Sequence, residues 1–470
     1  MTPAASHQRE PGPGPLHLLA GRPGAPWLTA PGQVGLTRDE AARRVRAEAE
    51  GLRRAGLRPG DRAGWWPTPE AESILAALAL LEAGAELLLL PRREELRTLA
   101  LEARRLELRL AVAPPLVAEG LPCPAWRPGH PLAPAGTGAP AGRPRRVVLR
   151  SSGSQGAPRW ICHPLENLLI GARAVARHLR LSPVDQWALS LPLDHVGGFA
   201  ILLRSLVAGC RLRLPVADTA PAPSAPGDTL LSLVPTQLRD LLTLGPPTPG
   251  LRAVLLGGAP LSAALRREAF QAGWPLISSY GATESGAALC ASPPGGDEED
   301  AAGCGHSLPP HRLRLDSEGR IELASPCLFE ARLDAAGRPR ERREAWWRSG
   351  DLGRWRRGSL VILGRVDRLI NSGGEKIRPE EVEEALLALP GLCRVAVVPV
   401  FDERFGQRPV AFVDWGANPT RDLPWVRDRL AGLARHKHPV RLWPWPMEEK
   451  GLKPNLARLV ARAAILWEEG

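Results

Sequence analysis

Lysine is almost missing from this chain. Of 470 residues only Lys376, Lys437, Lys450 and Lys453 are lysines, against 57 arginines, and none precedes position 376. Tyrosine occurs once and methionine twice. A general replacement of lysine by arginine accounts for the imbalance, which makes each surviving lysine worth inspecting. Cysteine is sparse and scattered, at positions 123, 162, 210, 290, 304, 327 and 393. The number is odd and no CxxC or Cys/His cluster occurs, which argues for reduced packing residues and against a zinc site. No run approaches the ~18–20 uncharged apolar residues of a membrane helix. The best stretch, Ile74 to Leu90, is broken by Glu82 and Glu86. The first fifteen residues have no apolar core, so no secretory signal is expected and the location is read as cytoplasmic.

What is present points to a folded protein. Hydrophobic residues make up 44% of the chain, and glycine and proline together about a fifth. That lies below the ~25–30% of a low-complexity disordered chain. The length suits two or three domains. The net charge of +11 could serve nucleic acid, phosphorylated ligands or plain solubility. The arginines are dispersed among acids, and no dense basic block carries aromatics that could stack on bases, so no nucleic-acid partner is expected.

Short apolar runs alternate with amphipathic segments, the signature of parallel α/β layers. Residues 1–25 read as a loose arm. Thr37 is a plausible cap for a helix running to Leu57. Ser73 to Ala83 reads as a helix, and Glu86 to Leu90 and Leu106 to Ala113 as strands. A Pro/Gly/Ala linker is expected over 129–145, then a strand from Arg146 to Arg150 and a helix opening at Pro164. Three further units, 229–238, 252–262 and 275–285, are each an apolar run ending in small polar residues. Loops of this kind lie beyond the carboxyl ends of parallel strands, where ligands bind.

The segment Ser151-Ser152-Gly153-Ser154-Gln155-Gly156-Ala157-Pro158-Arg159 suits a phosphate cradle. Its glycines permit close backbone approach, its serines donate, and Arg159 adds charge. It lacks the GK[ST] ending of a P-loop. In this segment the chain resembles the adenylate-forming enzymes, which include acyl- and aryl-CoA synthetases, luciferases and peptide-synthetase adenylation domains. The resemblance continues in order through LPLDHVGG (191–198), LLGGAPLS (255–262), SYGATES (279–285), RSGDLG (348–353), GRVDRLINSGGEKIRPEEVE (364–383) and KGLKPN (450–455).

That resemblance implies an α/β fold with a large N-terminal domain of layered sheets, residues 1–364, and a small mobile α+β lid, residues 365–470. It implies ATP, Mg²⁺ and coenzyme A as reactants and cofactors. Tyr280 is then the aromatic that stacks on adenine, with Gly258 opposite and Gly281 beside it. Thr283 contacts phosphate, and Glu284 is the Mg²⁺ carboxylate. Asp351 holds the ribose hydroxyls, Arg365 a ribose or phosphate oxygen, and Asp367 is the hinge. Lys453 carries the adenylation step, because a compact ammonium can bridge the acyl carboxylate and the α-phosphate. KGLKPN is shorter than the family's Arg-Thr-x-x-Gly-Lys, which leaves Lys450 as a rival. His195 walls the acyl pocket, and Gly373-Gly374 line the thiol channel. Gln155 stands where threonine is usual and Arg159 where lysine is usual.

Three segments, around 195–212, 232–238 and 405–446, closely resemble o-succinylbenzoate–CoA ligases of menaquinone biosynthesis. Their substrate has two carboxylates, one activated and one needing a counter-charge. Arg204 is the candidate for that contact, and Thr236 offers a hydroxyl nearby. Homo-oligomerisation is compatible with this reading. Other acyl- or aryl-CoA ligases, a stand-alone adenylation domain, and a basic nucleic-acid-binding protein on a degenerate enzyme fold are the alternatives.

Overall fold

The computed structural model describes residues 14–20, 24–31, 35–126, 145–151, 159–215, 225–416, 418–447 and 454–469. Among these residues the strands form four sheets. Two large sheets enclose a layer of helices. In the nine-stranded sheet, six neighbouring strands run parallel: Leu276–Ala282, Ala253–Leu256, Leu230–Leu233, Gln186–Ala188, Arg211–Arg213 and Pro26–Thr29. In the seven-stranded sheet, Arg146–Ser151, Glu86–Leu89, Arg62–Trp65 and Leu110–Val112 are parallel. Helices Arg38–Arg54, Ala71–Ala83, Leu165–His178 and Val196–Ala208 share one apolar core with strands of both sheets.

Local chemistry explains these elements. Thr37 caps the helix Arg38–Arg54: its side chain accepts from the Glu40 N–H, and the Glu40 carboxylate accepts from the Thr37 N–H. This reciprocal pair satisfies two of the orphan donors at a helix start. The helix Ala71–Ala83 is apolar nearly all round because it lies in the interior, with ten of its 13 residues buried. Glu86, which interrupts that apolar run in the sequence, is buried at a strand start and paired with Arg62 at 2.7 Å. No described helix is long and apolar enough to cross a membrane.

The structure differs from the expectations at three places. Part of the supposed N-terminal arm is a short helix, Pro15–Leu19, because Leu18 and Leu19 find buried contacts. The strand expected from Leu106 begins only at Leu110: the helix Leu96–Arg105 runs up to Leu106, and Glu107 turns the chain at φ 53. The segment after Ser151 does not lead straight into a helix. A second strand, Arg159–Pro164, returns antiparallel to Arg146–Ser151, and the helix follows it. The run Trp160-Ile161-Cys162 is too short for periodicity to separate it from a helix start. The 129–145 linker, apart from Arg145, lies outside the described residues.

A four-stranded antiparallel sheet joins Arg312–Leu315, Arg320–Ala324, Trp347–Arg356 and Ser359–Arg365. A last sheet combines Ile370–Ser372, Glu375–Ile377, Arg394–Asp402, Gly406–Asp414 and Leu442–Pro444. Both of its faces are covered. Val397, Ala411 and Val413 pack with helices Pro379–Leu387 and Leu423–Arg429, while Ala396, Val398, Val410 and Phe412 pack with Leu456–Glu468. The alternation along Arg394–Asp402 is the period-two pattern of a strand buried on both sides.

Within the nine-stranded sheet, the fully buried Asp228 ties three strands together. It accepts from Arg213 Nη2 at 2.6 Å and Nε at 2.8 Å, from Gln186 Nε2 at 3.1 Å and from the Ala225 N–H at 2.8 Å. Removing one partner of a buried pair strands the other charge, which costs ~3–5 kcal/mol. Asp228→Ala should lower the urea midpoint by that equivalent, and a loss under ~1 kcal/mol would show the pair to be dispensable.

Candidate active site

The parallel strands Leu230–Leu233, Ala253–Leu256 and Leu276–Ala282 are neighbours, so the loops at their carboxyl ends lie side by side. At or just beyond these ends lie Thr236, Gly258 and the segment Tyr280 to Glu284. The site therefore sits where open parallel sheets bind ligands. The Ser279 hydroxyl donates to the Leu256 carbonyl at 2.7 Å and ties two of the loops together. Gly258, exposed with φ 81, adopts a backbone conformation that glycine takes without strain.

After Ala282 the chain makes a single 3-10 turn, Thr283–Ser285, held from every side. The fully buried His163 donates from Nε2 to the Thr283 carbonyl at 2.8 Å. The Phe329 N–H donates to the Glu284 carbonyl at 2.9 Å, and the Ser285 hydroxyl to the Ala282 carbonyl at 2.8 Å. Gly286 closes the turn at φ 64, where a Cβ would stand 2.2 Å from Leu168 Cδ2. The backbone is thus fixed before any ligand arrives. The Glu284 side chain is 16% exposed and faces Arg332 Nη2 at 3.4 Å. Arg332 also lies over the Phe329 ring at 4.8 Å.

Asp351 is the most constrained of the candidates. Tyr280 donates its hydroxyl to Asp351 Oδ2 at 2.6 Å, and Arg365 Nη1 donates to Oδ1 at 3.1 Å. The Asp351 N–H bonds the Ser349 hydroxyl at 3.0 Å. Burial raises the Asp351 pKa, and the Tyr280 hydroxyl and Arg365 pull against it. Burial and the adjacent carboxylate push Tyr280 well above the usual phenol range. Arg365 also grips Asp367 in a bidentate pair, Nε to Oδ1 at 2.9 Å and Nη2 to Oδ2 at 3.0 Å. Burial alone would lower its pKa, yet the bonds to Asp367 and Asp351 carry it upward. The Tyr280 ring is 8% exposed and packs among Ile161, Leu289, Cys290 and Ile321, so only a narrow strip is open to a base.

Arg204 lies on the helix Val196–Ala208 and is 4% exposed. Its guanidinium stands over the Trp187 ring at 5.3 Å, and its Nε has no hydrogen-bond partner among the described residues. Burial pulls its pKa down to about 10, which leaves it charged at neutral pH. A buried cation with an unmatched donor calls for an anion. His195 caps the start of the same helix and is exposed. The first turn of that helix presses on Pro192: a Cβ at Gly198 would stand 2.1 Å from the Pro192 carbonyl oxygen. Thr236 is half-buried at the start of the helix Pro235–Leu244.

Further along, Arg368 pairs with Glu380 at 2.9 Å and Glu383 at 2.6 Å on the helix Pro379–Leu387. Gly373 and Gly374 form the exposed turn between Ile370–Ser372 and Glu375–Ile377, at φ 59 and φ 88. The Gly373 N–H bonds the Phe405 carbonyl at 2.8 Å. Ser151 and the exposed Arg159 face each other across the strand pair that bounds the proposed phosphate loop. Ser152, Gly153, Ser154, Gln155 and Gly156 lie outside the described residues, as do Lys453 and its rival Lys450.

Tyr280, Asp351, Arg365 and Asp367 are thus bonded in one chain, while Thr283 and Glu284 lie in the turn that follows the strand carrying Gly281. Sequence reasoning missed His163, Arg332 and Ser349. Ser349 stood within a matched motif, two residues from Asp351. His163 and Arg332 lie far along the chain from the turn they support, and no local pattern marks them. Magnesium is typically held by one or two carboxylates plus substrate phosphates. Glu284, partly exposed and singly ion-paired, fits that donor role, and no cluster of three or more metal-ligating residues occurs among the described residues.

The AMP-binding enzyme family profile matches residues 145–325. The chain is 36% identical over 438 residues to the 2-succinylbenzoate–CoA ligase of Salmonella typhimurium, covering 90% of this chain and 91% of that one. Among solved structures, a point variant of Escherichia coli MenE with bound OSB-AMS superposes with a TM-score of 0.81 at 31% identity, covering 96% and 98% of the two chains. The Bacillus subtilis o-succinylbenzoate coenzyme A synthetase in complex with ATP and magnesium ion superposes at 0.78, covering 92% and 95%, and at 23% identity supports the fold alone.

His163 generates a pH dependence. Burial lowers its pKa from 6.5 to about 4. Below pH 6.5 the unfolded chain takes up a proton that the folded chain refuses until about pH 4. Its contribution is therefore complete above pH 6.5 and is lost progressively from there down to about 4, by up to about 3 kcal/mol. His311, lowered to about 4 by the same cause, adds in the same direction. Urea midpoints measured from pH 7 to 4 should fall, and His163→Gln should flatten the decline. An unchanged slope in that variant would exclude His163 as its source.

Proposed function

The chain belongs to the AMP-binding enzyme family, among its 2-succinylbenzoate–CoA ligases, and from that premise we infer how its residues divide the reaction. The enzyme joins o-succinylbenzoate to coenzyme A in two steps at the expense of ATP. In the first, the aliphatic carboxylate attacks the α-phosphorus, the bond to pyrophosphate breaks, and an acyl-adenylate forms. In the second, the coenzyme A thiol attacks the acyl carbon and AMP leaves.

Arg204 carries the assignment of substrate. A buried guanidinium with an unmatched Nε suits the aromatic carboxylate, the group that remains charged throughout both steps. Thr236 and His195 border the same pocket in this reading. The Tyr280 ring and Gly258 hold adenine, Asp351 holds the ribose hydroxyls, and Thr283 with the loop 151–159 holds phosphate. Glu284 is the magnesium ligand. When bound, Mg²⁺ neutralises charge on the departing pyrophosphate. The fixed 283–286 turn supports preorganised electrostatics, because its donors need no rearrangement as charge develops.

Lys453 is assigned to the adenylation step and Gly373-Gly374 to the thiol channel. The boundary between the ATP-binding domain and the lid is placed at 364–365, with Asp367 as the hinge. Gly364, at φ 140 and packed against the Glu380 carboxylate, holds a backbone conformation that other residues rarely adopt, which supports a pivot there. A cytosolic location and no nucleic-acid partner complete the assignment, and homo-oligomerisation is compatible with it.

The deciding experiment is a coupled assay with o-succinylbenzoate, ATP and coenzyme A beside a panel of monocarboxylic aromatic acids. Arg204→Ala should raise the KM for o-succinylbenzoate at least tenfold and leave that for ATP within twofold. Equal effects on both substrates would remove Arg204 from the acid pocket. Lys453→Ala should lose acyl-adenylate formation by two or more orders of magnitude yet convert supplied acyl-adenylate to thioester. A parallel loss of both half-reactions would refute its assignment.

A further inference from the structure

Tyr280 is the only tyrosine among 470 residues, in a chain that has six phenylalanines and fifteen tryptophans. Stacking on a base and filling a cavity need the ring alone, and phenylalanine supplies both. What tyrosine adds is one hydroxyl, and that hydroxyl lies 2.6 Å from Asp351 Oδ2. Deepening the reading of Asp351 as the ribose carboxylate, on which it rests, we propose that the Tyr280 hydroxyl is a positioning group for Asp351 and couples adenine recognition to ribose recognition.

The geometry explains how. Tyr280 belongs to the strand Leu276–Ala282 of the nine-stranded sheet, and Asp351 to the strand Trp347–Arg356 of the four-stranded one. Their hydrogen bond crosses between the sheets in a buried setting, where a bond to a charged acceptor is strong. A register shift between Tyr280 and Gly281 bends the strand at the aromatic. Arg365 engages the other oxygen, Oδ1, so among the described residues both carboxylate oxygens meet a protein donor. A carboxylate has about four acceptor sites, so the remaining lone pairs are left, in a set orientation, for two ribose hydroxyls. Without the Tyr280 hydroxyl, the described residues left to orient the group are Ser349 and Arg365, and Arg365 is shared with Asp367. The raised pKa of Tyr280 is consistent with a phenol that stays protonated and donates.

Tyr280→Phe keeps the ring and removes only the donor. It should raise the KM for ATP about tenfold while kcat changes less than twofold. The discrimination of ATP over 2′-deoxy- and 3′-deoxy-ATP should shrink severalfold in the same variant. A second measurement needs no activity. Protein labelled with 13Cζ-tyrosine gives a single resonance, which Asp351→Asn should shift in the folded, nucleotide-free enzyme. An unmoved resonance, or an unchanged KM with unchanged discrimination, overturns the proposal. Asp351→Ala separates it from the underlying reading. If that variant loses ATP while Tyr280→Phe does not, the ribose assignment stands and the hydroxyl role falls. If it binds ATP normally, the ribose assignment falls whatever the resonance does.

Discussion

The buried carboxylate of Asp351 is the junction on which the site depends. It receives Tyr280 from the nine-stranded sheet and Arg365 from the strand that pairs with its own. Arg365 in turn grips Asp367, and Arg368 reaches Glu380 and Glu383 on the next helix. Two sets of ion pairs, Asp351–Arg365–Asp367 and Arg368–Glu380–Glu383, therefore follow one another along the chain from the four-stranded sheet to the helix Pro379–Leu387. Buried charges that lack partners are expensive. Arg365 is shared between Asp351 and Asp367, so a change of partner at one of these carboxylates is felt at the other.

Around that junction the protein prepares its anion-handling groups differently. The Thr283–Ser285 turn is rigid, because neutral donors from His163, Phe329 and Ser285 take up its carbonyls. Glu284 is held less firmly, with one arginine at 3.4 Å. Arg204 is the opposite case, buried, backed by an indole and lacking a partner at Nε among the described residues. In the proposed division of roles, the group that accepts a ligand's charge is the one left incomplete, and the turn that holds a shape is the one saturated.

Much of the fold was legible in advance, for identifiable reasons. The capping box at Thr37 and Glu40 is a local signal, and the structure contains it. The apolar runs ending at 233, 256 and 282 became adjacent parallel strands, since each pattern is complete within a few residues. The hairpin partner Arg159–Pro164 was hidden because a three-residue apolar run has no period of its own. The short helix Pro15–Leu19 was hidden because only distant contacts bury it. At the site, ordered motifs marked Tyr280, Asp351 and Arg365 individually, but no motif showed that they bond to one another.

The lack of lysine and tyrosine shows where the division falls. The sequence by itself determined which chemistry is present: a chain of adenylate-forming motifs, four late lysines and one tyrosine inside a matched loop. Of those lysines, Lys437 proves to be structural, its Nζ 2.7 Å from Glu381. Only the tertiary structure decided that Arg204, one of 57 arginines, is buried and incompletely bonded, and that the lone tyrosine points its hydroxyl at a carboxylate 71 residues away. The physical reason is range. Motif identity is written in neighbouring residues, whereas desolvation and hydrogen-bond pairing depend on which distant elements the packed sheets bring together.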